Sequence, residues 1–226
     1  MTDKPISIVV LISGRGSNLQ AIIEQAQRGD LPIRVRAVVS NRPDARGLNY
    51  AREARIPTRI VDHRRFATRM QFDETLMNTI DSYQPALVVL AGFTLILGAV
   101  FTEHYAGRLL NIHPSLLPRF PGLDTHRRAL QSGVTEHGAT VHFVTRDLDA
   151  GPIVIQKSVP ILARDTPDIL AARVLDVEHV IFPLAVRWFA EGRLRMHGGK
   201  AWLDGCVALP QTRMADNSCV AQIEPG

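Results

Sequence analysis

Cysteines and long apolar runs are both scarce in this 226-residue sequence. The two cysteines, Cys206 and Cys219, lie near the C-terminus, where a disulfide would brace little of a fold, so we expect a reduced, cytoplasmic protein. The longest apolar runs, such as residues 8–12 and 86–91, are far shorter than the roughly 20 residues of a membrane helix. No basic segment followed by an apolar one opens the chain, so we predict neither a secretory signal nor a membrane partner.

Lysine is scarce as well, because 23 of the 26 basic residues are arginines. A net charge of +4 would be compatible with nucleic-acid binding, but the basic residues are spread along the chain. They form no dense block and do not alternate with aromatic side chains. The charge pattern therefore favours a mildly cationic cleft for a small anionic substrate, with no nucleic acid as partner.

The rest of the composition is that of an ordinary globular protein. Hydrophobic residues make up 46% and charged residues 21%, which excludes a disordered, collagen-like or coiled-coil chain. No internal repeat and no linker-like segment divides the sequence. We expect a single domain over residues 1–204, followed by a polar C-terminal tail over residues 205–226.

The first half of the chain alternates between strand and helix patterns. Short apolar runs predict strands at residues 6–12, 35–40, 58–61 and 86–91, and helical spacing predicts helices near 19–26, 45–54 and 66–83. The last of these helices carries Met70, Leu76, Met77 and Ile80 on one side. Such alternation predicts an α/β fold with a doubly wound, Rossmann-like and mostly parallel sheet.

The second half of the chain has a different pattern of predicted elements. Residues 109–112 predict a fifth strand, and the three prolines of residues 114–122 predict a stiff loop, here called the proline loop. Two further strands, at 140–144 and 153–159, are joined by a short turn at 147–151, which predicts an antiparallel C-terminal part of the sheet. Thr166 and Pro167 then start a helix that runs to about Ala190.

A glycine-containing loop, residues 13–18, joins the first strand to the first helix and is here called the glycine loop. Its glycines let the backbone approach a ligand closely, and the following helix start supplies free N–H groups that suit a phosphate. It lacks the third glycine of a dinucleotide fingerprint and the Gly-Lys-Ser/Thr of a Walker loop. The alternatives are a monophosphate site and an ordinary turn in which Ser17 or Asn18 caps the helix.

Asn111 and His113 form the second candidate site. Residues two apart in a strand face the same way, so an amide and an imidazole project together, which suits a developing oxyanion. The alternative is two polar residues near a strand end. Asp149, in the turn before Gly151, would favour a charged imidazolium if it lay close, although aspartate is also common in turns.

Glu178 is the third candidate, because it falls on the apolar stripe of its helix, three residues before Ile181. A carboxylate there is costly unless it pairs with an arginine or receives the hydroxyl or amine groups of a substrate. No HExxH motif, cysteine cluster or GxSxG elbow is present, so we predict no metal and no nucleophile. These absences favour polar transfer chemistry without a covalent intermediate.

Three segments taken together resemble one enzyme family. Residues 9–20 (VVLISGRGSNLQ) are similar to the opening of the folate-dependent phosphoribosylglycinamide formyltransferases, and residues 109–118 (LLNIHPSLLP) to their catalytic segment. Residues 137–153 match the next signature of that family, and the resemblance runs in order from about residue 6 to residue 204. One departure is that Thr94 and Leu95 follow Ala-Gly-Phe where the family commonly has Met-Arg, which puts in doubt any polar contact at position 95.

The resemblance implies transfer of a formyl group from 10-formyltetrahydrofolate to the amine of N1-(5-phospho-D-ribosyl)glycinamide (glycinamide ribonucleotide) in de novo purine (IMP) biosynthesis. The amine would attack directly, through a tetrahedral intermediate, with His113 as general acid, Asn111 bonded to the formyl oxygen and Asp149 holding His113 protonated. Ribonucleotide binding would fall to Gly16, Ser17, Asn18, Leu175, Asp176, Val177 and Glu178. Folate binding would fall to Arg69, Thr94, Leu95, Ile96, Leu97, Asn111, Thr145, Arg146, Asp147, Leu148 and Asp149.

Three rivals remain at this point. Methionyl-tRNA formyltransferase would need a further C-terminal domain, and formyltetrahydrofolate deformylase usually has an extra N-terminal domain, whereas the first strand here begins at Ile6. A catalytically silent nucleotide-binding module would have no need to keep Asn111, His113 and Asp149 together. The expected partners are therefore the two small-molecule substrates, and the expected assembly is a monomer or a weak homodimer.

Overall fold

The structure is a computed structural model that describes residues 4–208. Its main sheet has seven strands in the order β3-β2-β1-β4-β5-β6-β7. They are β1 (Ile6–Ile12), β2 (Ile33–Ser40), β3 (Thr58–Ile60), β4 (Leu87–Leu90), β5 (Leu109–His113), β6 (Glu136–Phe143) and β7 (Ile153–Pro160). Neighbours among β1 to β5 pair in parallel, while β6 pairs antiparallel with both β5 and β7. The predicted mostly parallel sheet with an antiparallel C-terminal part is confirmed.

Helices cover both faces of this sheet. They are α1 (Ser17–Gln27), α2 (Gly47–Glu53), α3 (Arg69–Asp81), α4 (Ala99–His104), α5 (Thr125–Ser132) and α6 (Pro167–Ala190), with a 3-10 turn at His63–Arg65. Alternate residues of β1 enter two separate apolar clusters, Ile8 and Val10 on the side of α1 and α6, and Val9 and Leu11 on the side of α3 and α4. This alternation explains why β1 is apolar at every position from Ile8 to Ile12.

Several features differ from the sequence prediction. Helices α4 and α5 were not predicted, since α4 has six residues and α5 (THRRALQS) has too few apolar side chains to form a stripe. Met70 does not lie on the buried side of α3 but is 73% exposed, and the buried positions there include Phe72, Leu76 and Ile80.

A small antiparallel sheet follows α6 and was also not predicted. Its strands are β8 (Leu194–His197), β9 (Lys200–Leu203) and β10 (Cys206–Val207), with Gly198 and Gly199 in the turn between the first two. Strand β10 lies within the predicted tail, and residues 209–226 are outside the described part. Cys206 is not a free thiol, contrary to the expectation of reduced cysteines, and Cys219 lies outside the described residues.

Over residues 4–208, no helix is long and apolar enough to cross a membrane.

The loops that follow β1 and β4 meet where the strand order reverses, between β1 and β4. The N–H of Ser13 donates to the carbonyl of Gly92 at 3.0 Å, and the hydroxyl of Ser13 accepts the N–H of Thr94 at 2.9 Å. In open α/β sheets, ligands bind outside the carboxyl ends of the strands at such a switch point. The fold therefore brings the glycine loop, the segment after β4 and the end of β5 to one edge.

Candidate active site

His113 and Asp149 form a buried pair at this edge. Nδ1 of His113 lies 3.4 Å from Oδ2 of Asp149, and both side chains are less than 10% exposed. Nε2 of His113 lies 3.0 Å from the carbonyl oxygen of Phe120 in the proline loop. Both ring nitrogens of His113 therefore face a hydrogen-bond acceptor, and each can donate when it carries a proton.

The turn that carries Asp149 is tightly constrained. Asp149 has a φ of 52°, in the left-handed region that aspartate tolerates better than most residues. A Cβ at Gly151 would lie 1.8 Å from the carbonyl oxygen of Phe143, so only glycine fits there. The backbone N–H of Gly122 donates to Oδ2 of Asp149 at 2.8 Å. The carboxylate is therefore held from both the turn and the proline loop.

Asn111 is oriented by a residue that the sequence analysis did not place in the site. Its Nδ2 donates to Nε2 of His142 at 3.1 Å, across the paired strands β5 and β6. Nδ1 of His142 lies 2.9 Å from the carbonyl of Phe143, which fixes the proton on Nδ1 and leaves Nε2 as the acceptor. Burial lowers the pKa of His142, in keeping with a neutral ring. The second N–H of Asn111 is thereby available for a ligand.

A cavity of about 480 Å³ opens beside these residues. Its wall is mainly apolar, and its polar groups include Asn111, His113 and Asp149. The predicted folate residues that line it are Thr94, Leu95, Ile96, Leu97, Asn111, Thr145, Arg146, Asp147, Leu148 and Asp149. An apolar cavity with a few convergent polar groups is the usual form of a small-molecule site.

The glycine loop takes a shape that its glycines require. Gly16 has a φ of 78°, and a Cβ there would lie 2.4 Å from Cα of Gly47, at the start of α2. Gly16 is also the N-cap of α1, with no side-chain capping bond, so neither Ser17 nor Asn18 is the cap. The first N–H groups of α1 have no partner within the helix, which leaves them able to bind an anion.

Glu178 and Asn18 meet across 160 residues of sequence. Nδ2 of Asn18 donates to Oε2 of Glu178 at 2.6 Å, so the partner of Glu178 is an amide and not an arginine. Glu178 is 7% exposed, and burial raises its pKa to about 7. The sequence resemblance gave both residues to the ribonucleotide, and the fold brings them together beside the start of α1.

The remaining predicted residues are half-buried or exposed. Arg69, the first residue of α3, is exposed and does not line the cavity. Leu175 and Val177 are half-buried and Asp176 is exposed, all within the middle of α6. Within residues 4–208, no group of three or more His, Cys, Asp or Glu side chains is placed to hold a metal ion.

Comparison with known proteins gives consistent results. The formyl transferase family matches residues 6–186. The phosphoribosylglycinamide formyltransferase of Escherichia coli (strain K12) is 54% identical over 211 residues, which cover 93% of this chain and 100% of that protein. A solved structure of the Coxiella burnetii phosphoribosylglycinamide formyltransferase is 54% identical, with a TM-score of 0.87 over 90% of this chain and 96% of that one. A formyltetrahydrofolate deformylase from Burkholderia mallei is 29% identical, with a TM-score of 0.80 over 88% of this chain and 70% of that one.

The α/β fold with its polar trio at a cavity edge and the match over residues 6–186 define the class: the chain belongs to the formyl transferase family. Within that family its place is with the phosphoribosylglycinamide formyltransferases, which it matches over nearly its whole length. The family predicted from the sequence motifs is confirmed.

Proposed function

We propose that the chain transfers the formyl group of 10-formyltetrahydrofolate to the amine of glycinamide ribonucleotide, a step of de novo purine biosynthesis. The observation that carries this proposal is the meeting of Asn111, His113 and Asp149 at the edge of one cavity. An amide donor, an imidazole and a carboxylate form a set suited to an oxyanion and to proton transfer. The donor is already activated, so the reaction needs no nucleophile on the protein.

The proposed reaction begins when the amine nitrogen of the ribonucleotide attacks the formyl carbon. The new N–C bond gives a tetrahedral intermediate whose oxygen carries negative charge. The free N–H of Asn111 stabilises this oxyanion, and one preorganised donor of this kind contributes about 3 kcal/mol. The C–N bond to the folate then breaks, the folate nitrogen gains a proton and the former amine loses one. Holding the two substrates side by side supplies much of the remaining acceleration.

His113 acts as the general acid in this scheme, with Asp149 holding its Nδ1. Its Nε2 proton is directed at the carbonyl of Phe120 in the present geometry, at 3.0 Å. The proline loop therefore gives up this hydrogen bond when the ring turns its proton toward the reacting atoms. Hydrogen bonds of catalytic groups commonly rearrange in this way when the substrates bind.

The cavity is the proposed site of the folate. A flat bicyclic ring system fits an apolar wall such as the one formed by Leu90, Phe93 and Leu97, while polar ring atoms meet backbone groups at residues 145–149. Leu95, where the family commonly has arginine, keeps this wall apolar. Arg69, exposed at the start of α3, is proposed to contact the charged tail of the folate from outside the cavity.

The ribonucleotide is proposed to bind along the start of α1. Its phosphate accepts N–H groups from Gly16, Ser17 and Asn18, where the helix dipole favours negative charge. Its ribose hydroxyls donate to the carboxylate of Glu178, with residues 175–177 beside it. The two proposed substrates are water-soluble, which is why we also propose a cytoplasmic enzyme, built as one domain over residues 1–204 and acting as a monomer or weak homodimer without nucleic acid.

The test is whether consumption of the formyl donor depends on the ribonucleotide. Purified protein, 10-formyltetrahydrofolate and glycinamide ribonucleotide are expected to give tetrahydrofolate and formylated ribonucleotide in equal amounts, with no free formate. Omitting the ribonucleotide is expected to stop donor consumption. Formate release without ribonucleotide would instead identify a deformylase, and formylation of methionyl-tRNA would identify the tRNA enzyme. If neither substrate were consumed, the protein would be a binding module without this activity.

Changes in the glycine loop are expected to affect the ribonucleotide selectively. Ser17→Ala and Asn18→Ala should raise the KM for glycinamide ribonucleotide about tenfold, because the first removes a hydroxyl at the proposed phosphate site and the second removes the partner of Glu178. The KM for the formyl donor should stay within twofold. Gln20→Ala is the matched control, since Gln20 lies one turn further along α1 and its side-chain amide donates to the exposed Glu24 side chain. Isothermal titration with each substrate checks this, and a change in folate affinity alone would contradict the phosphate assignment.

A further inference from the structure

The segment that connects β4 to α4 forms one wall of the cavity, and side chains hold both of its ends. At one end the N–H of Thr94 donates to Oγ of Ser13, at 2.9 Å. At the other end the N–H of Gly98 donates to Oδ2 of Asp73, also at 2.9 Å. Between these two bonds lie residues 94–97, which line the cavity and have no regular helix or strand structure. Two side chains therefore anchor this cavity-wall segment (residues 94–98), and Leu97 also packs in the apolar cluster of α3 and α4.

Asp73 is an unusual residue for the place it occupies. It lies on the inner side of α3 next to Phe72 and is 4% exposed. Burial raises the pKa of its carboxyl group, and within residues 4–208 its Oδ1 is buried without a hydrogen-bond partner. Placing a carboxylate there costs stability compared with an apolar side chain. Its contact with Gly98 is therefore the feature that accounts for an aspartate at this position.

Gly98 is matched to this carboxylate. Its φ of −74° is open to any residue, so the backbone conformation does not require glycine. A Cβ at this position would, however, lie 2.5 Å from Oδ2 of Asp73. A residue larger than glycine at position 98 would therefore push the carboxylate of Asp73 away from its present place. Leu97 and Thr102, on either side of Gly98 in sequence, both line the cavity.

We propose that Asp73 is a positioning residue for the formyl donor: its buried carboxylate fixes the cavity-wall segment through the N–H of Gly98. This inference rests on the proposed function, because it takes the cavity to be the folate site. Asp73 touches neither substrate. It sets the position of Leu97 and its neighbours, against which the ring system of the donor packs.

Asp81 provides a matched control on the same helix. It lies at the other end of α3, accepts the hydroxyl of Tyr105 at 2.8 Å and lies 2.8 Å from Nε2 of His104. Both aspartates therefore tie α3 to α4, but Asp81 holds the far end of α4 and does not line the cavity. A merely structural role of Asp73 would give the two aspartates the same kinetic behaviour.

The experiment measures initial rates with both substrates varied, for the wild type and for Asp73→Ala, Asp73→Asn, Gly98→Ala and Asp81→Ala. Asp73→Ala should raise the KM for 10-formyltetrahydrofolate about tenfold, because the cavity-wall segment loses the hydrogen bond that fixes Gly98, with kcat and the KM for the ribonucleotide within twofold. Asp73→Asn should restore the donor KM, because its amide oxygen can accept the same N–H. Gly98→Ala should also raise the donor KM. Because the two residues share one contact, the double variant Asp73→Ala/Gly98→Ala should have a donor KM no higher than that of the single variant with the higher value.

Asp81→Ala should lower the midpoint of thermal unfolding and leave the donor KM unchanged. The proposal is overturned if Asp73→Ala or Gly98→Ala leaves the donor KM at the wild-type value, or if Asp81→Ala raises it equally. Should Asp73→Ala not fold, Gly98→Ala and Asp73→Asn decide the matter alone. If the wild type consumes no donor in the presence of ribonucleotide, the proposed function is refuted instead. Fluorescence titration of folate onto each variant measures donor binding without turnover, so that failure of the proposed function and failure of the positioning role of Asp73 can be told apart.

Discussion

Replacing His113 with alanine should lower kcat by about a thousandfold while the protein stays folded. General acid catalysis by a positioned side chain typically contributes between about a hundredfold and ten-thousandfold. The KM values should change little, because the proposed contacts of both substrates lie mainly on other residues. Steady-state rates at saturating substrates, with circular dichroism as the test of folding, measure this effect.

Asp149 is expected to show a similar loss, and the choice of variant matters. Asp149→Ala removes the carboxylate but also places alanine at a φ of 52°, which adds backbone strain of about 1 kcal/mol. Asn tolerates this conformation, and its amide oxygen can still accept the N–H of Gly122. Asp149→Asn therefore tests the charge alone, and we expect it to lower kcat by about a hundredfold or more without lowering thermal stability.

A surface histidine serves as the control for both variants. His197 is exposed on β8, in the small sheet, and His197→Ala should leave kcat unchanged. Near-normal kcat in His113→Ala would remove the general acid from the scheme. Near-normal kcat in Asp149→Asn would show that its carboxylate charge is not needed to hold the imidazolium.

The sequence predicts the central part of the fold well because burial leaves a clear pattern. Strand β1 spans Ile6–Ile12 as predicted, since its part that is covered on both faces, Ile8–Ile12, has to be apolar. Helix α5 gives no such signal, because it covers the edge of the core with only Thr125 and Ala129 buried. A short polar helix of this kind is set by its neighbours and not by its own periodicity.

The candidate site could be predicted only in part, for a related reason. Asn111 and His113 lie two residues apart, so strand geometry alone places them together. His142 reaches Asn111 through the register of β5 on β6, which spacing along the chain does not reveal. The carboxylate of Asp73 is equally hidden, since its importance arises from the backbone of a loop on another element.

Contacts between distant segments are the hardest to predict from residues alone. Glu178 was singled out because a carboxylate on an apolar stripe needs a partner, but the stripe does not say which partner. The partner is Asn18, on a different helix. The glycine loop marks the start of α1 as a polar part of the fold, and α6 packs against α1. A polar side chain near the start of α1 is therefore a natural partner for Glu178.

Replacing Glu178 with glutamine is expected to stabilise the protein above neutral pH and to weaken ribonucleotide binding. Burial raises the pKa of Glu178 to about 7 from an ordinary value of 4.5, so the folded state holds a proton that the unfolded state releases. The stability contributed by this group is fully present below pH 4.5 and is lost as the pH rises through 7. At pH 8 the free energy of unfolding of the wild type is therefore about 3 kcal/mol lower than it would be with a neutral side chain at this position. Glutamine has nearly the same shape, and its carbonyl can still accept the amide of Asn18.

Urea unfolding at pH 5 and pH 8 measures this effect. The free energy of unfolding of Glu178→Gln should exceed that of the wild type by about 3 kcal/mol at pH 8 and by little at pH 5. The same variant should raise the KM for the ribonucleotide, because a neutral amide accepts hydroxyl groups less strongly than a carboxylate does. Glu24→Gln, an exposed carboxylate on α1, is the control and should change neither quantity. If the free energy of unfolding of the wild type and of Glu178→Gln changed with pH in the same way, ionisation of Glu178 would not destabilise the folded state. A gain in stability together with a loss of binding would show that this carboxylate is kept for the ligand, at the expense of the fold.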